Sequence, residues 1–186
     1  MQLHKGLMVV ASVAFGAITA AAEQAPYSGW EGRQIKALAV EQIDDLRIGR
    51  GMGMALPAEL NGYPGPRHVL DLAGELDLSA AQQAEVQRLF DAMQTQAIVL
   101  GHQVLEREAA LDRLFAKEAA SAESVALAAV ELGQLQGELR GHHLRSHLAT
   151  RDLLSPHQVM RYQQLRGYRG TDSPRHGAGH GHGEVR

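Results

Sequence analysis

The feature that most constrains this chain is an apolar repeat of seven residues through its middle. Val86, Met93, Leu100, Arg107 and Leu114 recur at every seventh position, with Phe90, Ala97, Val104 and Leu111 between them. A stripe of about four heptads with one polar member predicts a long helix that buries a narrow face. After a break at 120–122, Val125, Ala128, Leu132, Leu135 and Leu139 repeat the spacing. Two helices with matching stripes predict an antiparallel helical hairpin, 79–117 against about 122–151. Beyond Leu139 the second stripe turns polar, and His142, His143 and His147 stand where leucines would be expected.

The ends of the pair carry a matched signal. Leu78-Ser79-Ala80-Ala81-Gln82 opens the first long helix, and Leu154-Ser155-Pro156-His157-Gln158 follows the second. Each serine reads as an N-cap whose hydroxyl accepts from an orphan N–H of the first turn. Each glutamine, three residues on, completes a capping box. Pro156 sits at the first helical position, where its missing N–H costs nothing. A short helix is predicted over 68–76, with Val69, Leu72, Ala73 and Leu76 on one face. A last helix is predicted over 155–166, with Val159, Tyr162 and Leu165 inward. The fold class is therefore all-α, four helices with the short ones at the open end of the hairpin.

Residues 23–65 read as an N-terminal arm. A helix within 34–48 would put Ile35, Leu38, Ile43 and Leu46 on one side, and Gly49 to Gly53 would break it. Pro57, Gly62, Pro64, Gly65 and Pro66 give the following stretch turn chemistry. Both an arm laid on the helical core and a mobile segment fit this pattern. Residues 1–22 have the form of a cleaved secretory signal peptide: Lys5, an apolar run to Ala21, and the small residues Ala20-Ala21-Ala22 before Glu23. The run is too short and too rich in Ala and Gly to favour a membrane anchor. The chain has no cysteine, so disulfides and a Cys-linked lipid are excluded. Export to the periplasm is the expectation. A formal net charge of −3 argues against a nucleic-acid partner. The closing segment, 169–186, is rich in Gly and His with no core residues, and is expected to be disordered.

With its signal peptide, all-helical body and two copies of Leu-(Ser/Thr)-x-x-Gln, the chain resembles the periplasmic Spy/CpxP group, also called the LTxxQ-motif family. The wider relatives of that group are the ZraP-like and CnrX-like heavy-metal resistance and sensor proteins. The resemblance covers roughly 68–168, with Ser replacing the commoner Thr in both copies. It implies a four-helix hooked protomer that pairs as an antiparallel homodimer. It also implies one of three functions: ATP-independent chaperone, regulator of an envelope stress pathway acting with a membrane-bound partner, or metal sensor or scavenger.

The histidines bear on that choice. His143 and His147 are four apart, so on a helix they share a face and can hold one ion. If the chain turns near Ala120, His147 lies level with about Met93, close to Asp91. Folding back of the short helices brings His68 and His157 toward the same end. His68, Asp91, His143, His147 and His157 are thus the candidate ligands of a divalent ion, and imidazoles with a carboxylate suit Zn, Ni, Co or Cu. His102 and His142 are expected to face solvent. In the tail, His176, His180 and His182 are further candidates for weak chelation. CnrX-like sensors resemble this arrangement, ligating through the first helix and a spaced pair on the third. Their pair is His-x-x-x-Met where this chain has His-x-x-x-His, and Leu72 occupies the place of their second first-helix histidine.

The rival expectation is a chaperone for unfolded periplasmic proteins. Arg140, Arg145, Arg151, Arg161, Arg166 and Arg169 would supply a basic face, and Met52, Met54 and Met160 adaptable contacts. No nucleophile–base pair or phosphate loop is present, and Gly49–Gly53 lacks the flanking strand and lysine of one. No enzymatic activity and no organic cofactor are expected. Metal binding ranks first, chaperoning second, and a structural module regulating envelope stress third.

Overall fold

A computed structural model of the chain describes residues 25–168. The expectations for the signal peptide and for the tail, with His176, His180 and His182, lie outside that range. A 3-10 turn at Trp30–Gly32 precedes six helices: α1 Val40–Arg47, α2 Leu56–Glu59, α3 Pro66–Asp71, α4 Ala80–Ala116, α5 Ala122–Asp152 and α6 Pro156–Leu165. No strand occurs among the described residues. None of the helices there is long and apolar enough to cross a membrane.

The two long helices pack on each other, as the paired stripes predict. α4 has 37 residues, a span of about 55 Å at 1.5 Å per residue. Gln82 meets Leu153, Met93 meets His142 and Arg107 meets Glu131, so the two run in opposite directions. Arg107, the polar member of the first stripe, is exposed and paired with Glu131 at 3.5 Å.

The repeated motif does more than cap. Ser79 accepts from the Gln82 N–H at 3.2 Å, and the Gln82 side-chain oxygen accepts from the Ser79 N–H at 3.0 Å. Ser155 and Gln158 repeat this at 3.2 and 2.9 Å. The two glutamine amides then bond each other reciprocally, at 3.0 and 3.1 Å. Their remaining N–H groups donate to the carbonyls of Leu153 and Leu76. The starts of α4 and α6 are thereby clasped together, beside a core of Val69, Leu76, Leu78, Val86, Leu154 and Tyr162.

From Ile35 to Gly65 the arm packs against the helical body, while 25–32 are exposed. The helix is shorter than the sequence suggests: it starts at Val40, because the chain bends through 33–38. Ile35, Ile43 and Leu46 are nevertheless buried with Met93, Ala97, Leu100, Val104, Leu105 and Leu139. The approach of α1 to α4 needs Gly101, where a Cβ would stand 2.1 Å from the Leu46 carbonyl oxygen. α3 is also displaced from the predicted 68–76. It begins at Pro66, with Gly65 as its N-cap, and Asp77 turns the corner into α4 with a left-handed φ of 49°.

Candidate metal centre

Where α5 passes under the arm, its inner face turns polar. Leu139 is followed along the seam by buried His143, Ser146 and Thr150. Ser146 donates to the His143 carbonyl and Thr150 to the Ser146 carbonyl, both at 2.7 Å, so these hydroxyls are satisfied within the helix. The histidines have no such local outlet. His143 and His147 line a cleft of about 680 Å³ between α5, α3 and the arm, and His68 lines it from α3.

The sequence reading missed the group that organises this cleft. Glu59, at the end of α2, is 4% exposed. One carboxylate oxygen accepts from Tyr162 OH, from Tyr168 OH at 3.1 Å and from His68 Nδ1 at 3.2 Å, with Arg166 Nε at 3.7 Å. The other accepts from the Gly65 N–H at 3.1 Å and lies 3.6 Å from His147 Nδ1. Burial pushes the Glu59 pKa up. The bonds from His68 and Tyr162 and the charges of His68 and His147 outweigh it and hold the pKa at about 2. Burial, then the bond and charge of Glu59, raise Tyr162 far above the usual tyrosine range, so it stays a donor. A signal existed for Glu59: it is the one charged residue between Arg50 and Arg67.

These bonds set the histidine tautomers. His147 Nδ1 lies 2.7 Å from the Tyr63 carbonyl oxygen, which can only accept, so Nδ1 carries a proton and, in the neutral ring, Nε2 holds the lone pair. His68 Nδ1 faces the Glu59 carboxylate, with the same result. A histidine whose far nitrogen is held by a carbonyl or carboxylate is the usual arrangement of a metal ligand. His143 is 4% exposed and its Nε2 is buried without a hydrogen-bond partner. Burial, followed by the charges of His142 and His147, lowers its pKa to about 4, so it is a neutral imidazole at pH 7. Gly65 leaves room for His147: a Cβ there would stand 2.9 Å from the ring.

The five candidate ligands therefore divide. His68, His143 and His147 share the cleft. Asp91 does not reach it: it is exposed on α4, accepting from Gln87 at 2.8 Å. His157 is exposed in the first turn of α6, because the inward position there is taken by Gln158. His102 faces solvent as expected, but His142 is half-buried and bonded to the Met93 carbonyl at 3.2 Å. Among the described residues, no three His, Asp or Glu side chains already stand together as a ligand set. Family models, curated proteins and solved structures were all compared with this chain, and none matches.

Proposed function

We propose that this chain is a periplasmic metal-binding protein of envelope stress or metal resistance, a sensor or scavenger built on a hooked hairpin protomer like that of the Spy/CpxP group. The ion is taken through the Nε2 atoms of His143 and His147, with His68 as a third donor. One observation carries the reading: His143, whose Nε2 is buried without a partner, lines the same cleft as His147 and His68, two histidines whose Nδ1 atoms are already engaged and whose Nε2 atoms are left for an ion. A buried polar atom without a partner is costly, and a bound cation relieves that cost. Closing on an ion requires the imidazoles to rotate toward one another, and the ion then ties α3 to α5. A dimer partner or a membrane-bound regulator would read that change.

The test uses a chain ending at Gly170, which removes the tail histidines as competing ligands. With zinc or nickel at neutral pH its melting temperature is expected to rise, because an ion bound to the native state alone shifts the unfolding equilibrium. His143→Ala with His147→Ala should abolish the rise. Failure of the shortened chain to bind any ion moves the chaperone reading to first place. That second reading rests on exposed Leu148 and Met160 beside Arg151 and Arg161, a surface mixing apolar and basic groups. Suppression of client aggregation without added metal would favour it.

A further inference from the structure

The histidine cleft is also lined by two thioethers, Met52 and Met93. Met93 is set by the packing of α4 on α5, since its carbonyl accepts from His142. Met52 is set by the loop between α1 and α2, and its backbone is unusual. It adopts a left-handed φ of 43° although it is not glycine, while Gly53 beside it has a φ of 75°. A residue with a side chain is strained in that region. In the run Gly51-Met52-Gly53 the middle residue carries that strain together with a sulfur atom. The loop lies against His143, for a Cβ built on Gly51 would be 3.8 Å from its Nδ1.

Thioether sulfur is a soft, neutral donor that favours copper(I), whereas imidazole serves copper, zinc and nickel alike. Charge points the same way. Three carboxylates line the cleft and each is engaged: Glu59 accepts from Tyr162, Tyr168, His68 and Gly65, Asp45 is paired with Arg50 and Asp71 with Arg67, both at 3.1 Å, so the donors left for an ion are neutral. A neutral donor set leaves the full ionic charge buried, and a monovalent ion is far cheaper to bury there than a divalent one.

We propose that the cleft is a copper(I) site in which the thioethers of Met52 and Met93 join the imidazoles of His143 and His147. The proposal rests on the metal-binding reading above and narrows its metal. It is tested on the full chain with carbon-13 methyl-labelled methionine, titrated anaerobically with copper(I) under ascorbate and, separately, with zinc. Copper(I) is expected to shift the methyl signals of Met52 and Met93 strongly and to leave Met160 unmoved, and zinc, held by the imidazoles alone, to move the two cleft methyls much less. In Met52→Leu, the free copper(I) needed to shift the Met93 methyl, set by a competing chelator, should rise about tenfold or more, at least the scale of losing a partner that only supports a ligand. Copper(I) shifting neither methyl, or Met52→Leu leaving the required copper(I) unchanged, overturns the proposal. Imidazole signals recorded on the same samples separate the two failures. If zinc moves His143 and His147 while copper(I) leaves the methyls in place, only the copper assignment falls. If neither ion moves the two histidines, the metal-binding reading falls with it.

Discussion

At the scale of single residues, two buried groups set the chemistry of the cleft, and both tie stability to pH. His143 has a folded pKa of about 4 against about 6.5 when unfolded. Between these values the unfolded chain binds a proton that the folded chain does not, so stability rises with pH. The contribution is fully present above about 6.5 and is lost as pH falls toward 4, to a total of about 3 kcal/mol at 1.36 kcal/mol per unit. Urea unfolding in the presence of a chelator should show that slope, and His143→Leu should flatten it. Glu59 acts in the same direction but lower: its pKa falls from 4.5 to about 2 on folding, so its share is lost as pH falls through that window. Glu59→Ala removes the acceptor of two tyrosines and a histidine. It should destabilise the chain at pH 7 by about 3 kcal/mol, as when one partner of a buried charged network is removed; the midpoint of denaturant unfolding measures this.

At the scale of elements, the glutamine clasp explains why the capping motif occurs twice. Each glutamine serves its own cap and the other glutamine. The single changes Gln82→Ala and Gln158→Ala should therefore be non-additive, with a coupling of about 1 kcal/mol in a double-mutant cycle. Ser79→Ala, which loses only a cap, should cost about 1 kcal/mol on its own. The long helices and their caps were legible in the sequence because they follow from local periodicity and local hydrogen bonding. The clasp was not, since it joins residues 76 positions apart. The candidate site was half legible. Helical spacing and the chain reversal placed His143, His147 and His68 at one end. Asp91 and His157 failed because level along a helix does not fix the face: Asp91 points outward, and Gln158 takes the inward place in α6. Glu59 escaped notice because its partners come from Gly65, His68, His147, Tyr162, Arg166 and Tyr168, which only the folded arm brings together.

At the scale of the whole molecule, the body is buried unevenly. The end holding the cleft is covered by the arm and the short helices. Toward the connection between α4 and α5 little covers the pair, and Phe115, Leu127 and Val130 are 60, 61 and 59% exposed. Exposed apolar surface of this kind favours association, and an antiparallel homodimer is the expected assembly. Sedimentation at tens of micromolar should show a dimer, and Leu127→Glu with Val130→Glu should shift it toward monomer. The arm is held by the approach at Gly101. Gly101→Val should therefore release α1 and open the covered end, seen as faster amide exchange over 40–47 while α4 and α5 remain protected. The central claim is that the cleft histidines bind metal, and anomalous diffraction from zinc-soaked crystals tests it most directly. An anomalous peak is expected in the cleft about 2.0–2.1 Å from Nε2 of both His143 and His147. Peaks confined to surface histidines such as His102 or His157, with none in the cleft, would contradict it.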